Sequence, residues 1–321
     1  MIWFAFIYFV DASGGVAERR AEVFGRTMHH RLEVDFATTN FFPPPGYICR
    51  RLTFTFPEFE QCYYTASEDI FISGVLDSDE VFEKSKMRDV RDAWQLVARG
   101  RKINDTTFVD VGANIGLYSM YAAANGVGTI VAFEPLSTNI GLFSASVVRN
   151  TGFNRRIRLI AAGAGQRVEK LLMHVDVRNR GGSSFAASKL TLEGVEINRR
   201  QLSATESTLV PIDLFVRQHV DVMKIDVEGY ESCVMAGARR LFADYGVTMI
   251  FLELWCNLTP CANSSSEVFA DLQALGYEIY QSFSEFNKNL AQQLHSLSEV
   301  CAGPALYVEL FAVQRSRLNK K

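Results

Sequence analysis

The sequence predicts an α/β protein: a mostly parallel sheet with helices on both faces, preceded by an N-terminal extension. Three observations predict it. From Thr107 onward, short apolar strands alternate with helical stretches, the arrangement that builds a parallel sheet. The first of those strands runs straight into a turn bracketed by Gly112 and Gly116. Four predicted strands end on acids, Asp110, Glu134, Asp226 and Glu253, at the sheet edge where open α/β folds bind ligands.

The chain's 321 residues suit one large domain with an extension. A composition of 48% apolar and 21% charged residues is that of an ordinary globular protein. A net charge of -3 supplies no basic field, so no nucleic-acid partner is expected. Residues 1–65 form the extension. It opens on the apolar run Met1–Val10, too short to span a bilayer, which takes about 20 residues, and lacking the basic start of a secretory signal. The run reads as a short leader or a hydrophobic strand. Membrane association through it stays open, and so does the choice between a cytoplasmic and a secretory-pathway or Golgi location. N-x-S/T sequons at Asn104, Asn257 and Asn263 fit the secretory route.

Pro43-Pro44-Pro45-Gly46 marks a loop. Leu52, Phe54 and Phe56 alternate with threonines and predict a strand stopped by Pro57. Residues 66–106 read as a helical lead-in, with Val90, Trp94 and Val97 at helical spacing over 89–99. The main domain covers 107–314. Its strands are predicted at 108–111, 129–133, 157–161, 220–225 and 247–252, with closing strands at 277–280 and 306–313. Helices are predicted at 117–125, 138–150 and 231–242. Residues 176–210, polar and Gly/Ser-rich at their start, read as a mobile segment over the site. The tail 315–321 reads as a solvated basic end.

The six cysteines contain no C-x-x-C pair, which removes a zinc ribbon or thioredoxin motif. They are expected to be buried or free thiols, although an even number permits disulfides, with Cys256 and Cys261 nearest in sequence. His29-His30 has no partner cluster, and no metal is expected. His174, between Met173 and Val175, reads as a strand residue rather than a base.

Glycine at 112 and 116 lets the backbone approach a ligand or take positive φ, and Asn114 tolerates the left-handed region. Glu134 ends the next strand, roughly 20 residues on, where a carboxylate can accept hydrogen bonds from ribose hydroxyls. The dinucleotide pattern G-x-G-x-x-G fails, because Asn114 and Leu117 stand where its later glycines belong. This excludes a nicotinamide oxidoreductase and favours a nucleoside cofactor without a pyrophosphate.

Asp110-Val-Gly-Ala-Asn-Ile-Gly116-Leu-Tyr-Ser119, then Ala132-Phe-Glu-Pro135, then Lys224-Ile-Asp-Val-Glu-Gly-Tyr-Glu231 resembles the FkbM family of S-adenosylmethionine-dependent methyltransferases, from about Thr107 to Leu254. The resemblance implies a Rossmann-like class I methyltransferase sheet with S-adenosylmethionine as cofactor. It implies that Asp110 and Gly112 contact the methionine portion, with Asn114 and Gly116 shaping the turn. Glu134 would hold the ribose, Asn139 would support it, and Ala162 would lie near the adenine. Asp226 would sit beside the sulfonium and the acceptor. Asn179 and Ser183-Ser184 resemble a further family segment, displaced here by Arg180-Gly181. A hydroxyl acceptor must lose a proton, and the candidate bases are Asp226, Glu228 and Glu253, with Glu253 or Glu228 facing the acceptor. Tyr118 and Tyr230 are candidate cofactor contacts, and Phe133 reads as core. Lys224 is left between pairing with an acid and meeting substrate. The acceptor class implied is a hydroxyl on a sugar, glycan or other small molecule. The alternative is a non-catalytic cofactor-binding or scaffold relative.

Overall fold

The computed structural model describes residues 32–37, 46–53, 57–69, 72–77, 83–176, 183, 185, 202–256, 261, 264–289, 292–301 and 307–318. Its centre is a seven-stranded sheet. In chain order the strands are β3 (Thr107–Val111), β4 (Thr129–Phe133), β5 (Ile157–Ile160), β9 (Val220–Ile225), β10 (Val247–Trp255), β11 (Glu278–Tyr280) and β12 (Tyr307–Val313). They lie side by side as β11-β12-β10-β9-β3-β4-β5. Only β12 runs antiparallel to its neighbours in this sheet. Every residue of β3 is buried, which is why it reads as a continuous apolar run rather than an alternating one.

From β3 the chain moves outward to β4 and β5, then returns to lay β9 on the other side of β3. That reversal opens a crevice at the carboxyl ends of β3 and β9. Helices α3 (Leu117–Ala124) and α4 (Ser137–Arg149) follow β3 and β4. Helix α2 (Lys84–Val97) buries Met87, Val90, Ala93 and Trp94 against the sheet, with Trp94 edge-on to Phe108 at 5.2 Å between ring centroids. A three-stranded sheet of β6 (Gly163–Ala164), β8 (Leu202–Val210) and β7 (Glu169–Asp176) stands beside the crevice.

Several expectations change. The predicted strand at Leu52 is the end of β1 (Tyr47–Leu52), which pairs with β2 (Phe59–Tyr64) beyond Pro57; Phe54 and Phe56 lie outside the described residues. The strand β2 escapes an alternation test because both its faces are covered, down to a fully buried Gln61. The thiol expectation is wrong. All six cysteines are paired, as Cys49–Cys62, Cys233–Cys261 and Cys256–Cys301. Cys256 and Cys261, nearest in sequence, therefore bond to other partners.

The predicted 231–242 helix is interrupted: α5 (Glu231–Ala236) ends before Gly237, and a wider helical turn resumes over Leu241–Tyr245. A side chain at Gly237 would meet the Gly165 carbonyl oxygen at 2.0 Å, so the chain leaves the helix where it presses on another backbone. Residues 202–210 are not loop but the strand β8, paired along β7; Asn179 and Ser184 lie outside the described residues. At the start of the basic tail, Arg315 and Ser316 are exposed. Arg315 pairs with Glu278 at 2.5 Å and lies over the Phe286 ring at 4.8 Å. No helix among the described residues is long and apolar enough to cross a membrane. Met1–Val10, His29-His30, Asn257 and Asn263 lie outside the described residues, and Asn104 is exposed in a short helical turn.

Candidate active site

The crevice holds a cavity of about 400 Å³ lined by residues from the ends of β3, β4, β9 and β10, with β7 and β12 closing its sides. The first turn defines its floor. Gly112 has φ +81°, and a side chain there would stand 1.8 Å from the Asp226 carbonyl oxygen. The turns after β3 and β9 are in direct backbone contact, and only glycine permits it. Asn114 takes φ +54°, aiming its N–H at Glu134 Oε2, 2.8 Å away.

Glu134 is buried and accepts two further hydrogen bonds on Oε1, from the Leu136 N–H at 3.0 Å and the Asn139 side-chain amide at 3.2 Å. Burial pushes its carboxyl up to about 7, against these three donors, which favour the ionised form. Asn139 is itself fixed by the Tyr64 hydroxyl, which donates to its Oδ1 at 2.8 Å. Tyr64 belongs to β2, so the N-terminal hairpin holds the residue that holds Glu134. Gln61 of the same strand donates to the carbonyl of Ile115 at 2.8 Å, inside the glycine turn.

The opposite end of the cavity is acidic. One oxygen each from Asp226, Glu228 and Glu253 lie within 4.8 Å of one another, close enough for their charges to repel strongly. Burial, then the charge of Asp226, raises Glu228 to about 9 and Glu253 to about 8. The Lys224 ammonium lies beneath them, 2.8 Å from Asp226 Oδ2 and 4.9 Å from the centre of the Tyr118 ring. Burial opposes the charge on Lys224, but Asp226, Asp110 and Glu83 outweigh it and hold its pKa above the ordinary range. Asp110 is buried; its Oδ2 accepts from the Ser119 hydroxyl at 2.6 Å, and its Oδ1 has no hydrogen-bond partner among the described residues. Burial raises its carboxyl as well.

Gly112, Asn114, Glu134, Asn139, Asp226, Glu228 and Glu253 all line this one cavity. Asp110, Gly116 and Ala162 are buried next to lining residues without being lining residues themselves; beyond β5 the wall is Gly163 and Ala164. Lys224 pairs with Asp226, Tyr118 and Tyr230 line the cavity, and Phe133 is core. Glu253 lies within β10, which runs on to Trp255 rather than ending at Leu252. Glu83, Trp255 and Tyr307 also line the cavity and were not read from the sequence. Trp255 continues the alternation of Phe251 and Glu253 on one face of β10, a signal within reach. Glu83 stands some distance ahead of the glycine turn and carries no motif.

The FkbM methyltransferase domain matches residues 110–279. Among solved structures, the FkbM methyltransferase of Methylobacillus flagellatus KT is 16% identical over 93% of this chain and 60% of that one, with a TM-score of 0.40. This chain therefore spans 60% of that protein's length. The precorrin-6y C5,15-methyltransferase of Geobacter metallireducens GS-15 is 14% identical over 70% of this chain and 87% of that one, with a TM-score of 0.33. The plantazolicin methyltransferase BpumL, in complex with SAH, is 10% identical over 72% and 85%, with a TM-score of 0.35. No curated protein matches the sequence. The matched domain takes in the glycine turn, both acidic turns and more than half of the residues, and the chain belongs to the FkbM family of S-adenosylmethionine-dependent methyltransferases.

Proposed function

We propose that the protein transfers the methyl group of S-adenosylmethionine to a hydroxyl oxygen, on a sugar, glycan or other small hydroxylated molecule. The observation that carries this reading is the union, in one cavity, of a nucleoside-sized floor at Glu134 with an acid cluster at Asp226, Glu228 and Glu253.

The residues present fit the cofactor. A cavity of about 400 Å³ is within the range of small-molecule sites. Gly112, a lining residue, leaves open a floor that any side chain would fill, since a Cβ there would stand 1.8 Å from the Asp226 carbonyl oxygen. S-adenosylmethionine supplies a methyl group already activated by its sulfonium. The chain's task is then to align and to manage one proton. Glu134, held rigid by three N–H donors, keeps an oxygen lone pair for ribose hydroxyls. The Gly112 turn brings backbone close to the methionine end, and Asp226 places negative charge at the centre of the cavity. Alignment of this kind can supply about 7–11 kcal/mol.

The acceptor hydroxyl gives its proton to Glu253 or Glu228, whose raised pKa values make either a competent base once ionised. Lys224 is a positioning residue: it holds Asp226 and balances the charge of the cluster.

The test is methyl transfer from labelled S-adenosylmethionine to a panel of hydroxylated acceptors, with NAD as a control for binding. Labelled product that disappears in Glu253→Gln and Glu228→Gln together is expected. Tight cofactor binding without turnover of any acceptor would favour the scaffold reading.

A further inference from the structure

The acid cluster opens onto a second cavity. Three pairs of residues face each other across the antiparallel β10–β12 ladder: Phe251 with Phe311, Glu253 with Glu309, and Trp255 with Tyr307. Their period of two puts all six side chains on one face of the sheet. The face is thus banded, an aromatic pair, an acidic pair and a second aromatic pair, with ring centroids 5.3 Å apart at Phe251–Phe311 and 5.8 Å apart at Trp255–Tyr307.

Trp255 and Tyr307 line the main cavity. Phe251 and Phe311 line the second, of about 70 Å³, together with Phe283, Leu310 and Val90. Tyr118, Lys224, Asp226 and Glu253 line both, so the two spaces meet at the carboxylates. The cationic lining of the side cavity is already neutralised: Lys86 pairs with Glu83 and Glu309, and Lys224 with Asp226. Beyond these ion-paired groups and Glu253, the side cavity offers a ligand chiefly aromatic and aliphatic wall, with Asp89, Gln281 and Ser282 as further polar lining. A space of about 10–15 Å³ already accommodates a water, so about 70 Å³ has room for a chain of a few carbons.

We propose that this side cavity is an acceptor subsite for a short apolar substituent, carried by a hydroxylated molecule whose reacting oxygen lies at Glu253. The inference rests on the methyl-transfer reading and narrows it. A polar ring meets the carboxylates and the Trp255–Tyr307 pair, while a few-carbon group extends from it along the wall of mutually packed Phe251, Phe283 and Phe311. A bare polyol leaves that apolar wall uncovered. A long chain overfills it.

The experiment is calorimetry on the protein loaded with S-adenosylhomocysteine, titrated with methyl and n-propyl β-D-glucopyranoside. The propyl compound should bind about 10-fold tighter, the gain from burying two methylenes. Val90→Phe, which fills the cavity from α2, should erase that gain and leave affinity for the methyl compound unchanged. Because Val90 is buried, Gln281→Trp supplies an exposed position from which to block the same space, with the same expected loss. Equal affinity for the two glucosides, or a propyl advantage that survives both variants, overturns the proposal. Failure to load the cofactor at all would instead overturn the methyl-transfer reading.

Discussion

Gly112 concentrates the geometry of the site into one position. Its φ of +81° and the 1.8 Å separation between a built side chain and the Asp226 carbonyl oxygen are two independent obstacles to any other residue. Gly112→Ala is expected to lose cofactor binding and to destabilise the fold by more than about 1 kcal/mol, read by calorimetry and thermal melting. Glu253 is, with Glu228, one of the two carboxylates proposed to take the acceptor's proton. With its carboxyl raised to about 8 by burial and then by Asp226, the transfer rate should climb with pH through about 8 as the base ionises. Glu253→Gln should remove that rise and lower the rate by about 10²–10⁴-fold. A variant with unchanged rate and pH profile would take the proton-accepting role away from Glu253. At this scale the sequence is most legible. Glycines and acids at strand ends announce themselves because a tight turn and a ligand edge each admit few residue types. Tyr64 and Glu83 carry no such mark, since a tyrosine in an apolar strand and a glutamate before a helix are compatible with any surface.

At the scale of elements, the Trp255–Tyr307 side of the cavity is built by crosslinked pieces. Cys256 directly follows Trp255 and bonds Cys301, six residues before Tyr307. Cys261 bonds Cys233 in α5, three residues after Tyr230. Replacing Cys256 and Cys301 by alanine should cost about 2–5 kcal/mol in urea unfolding and weaken acceptor binding more than cofactor binding. The native protein should show no reactive thiol before it unfolds; a reactive thiol in the folded state would contradict the pairing. Strands β3, β4 and β9 were readable because parallel strands covered on both faces are continuous apolar runs. The hairpin β1–β2 was not, because its partner strand mixes Gln61, Cys62 and tyrosines that only tertiary packing buries. Disulfide partners were likewise beyond the sequence. Pairing follows which elements meet in space, and Cys233 and Cys256 belong to different layers.

At the scale of the whole molecule, the buried acids make stability depend on pH. Glu134 and Glu231 are raised to about 7, Glu253 to about 8 and Glu228 to about 9, in each case chiefly by burial, from an ordinary value of 4.5. Between these limits the folded chain binds more protons than the unfolded one, so the stabilisation present below about 4.5 is lost as pH rises toward 9. The cofactor-free protein should therefore melt at progressively lower temperature from pH 5 to pH 9. A cationic cofactor relieves the same repulsion, so its stabilising effect should grow over that range. A flat or rising profile would contradict the burial of these acids. The glycine turn, Glu134 and the acid cluster form the proposed cofactor crevice, and a titration of S-adenosylmethionine into the wild type and Glu134→Ala tests that proposal most directly. One-site binding to the wild type and a loss of about 1–3 kcal/mol in the variant are expected. Equal affinity of the two proteins, or no binding to the wild type, would contradict the proposal.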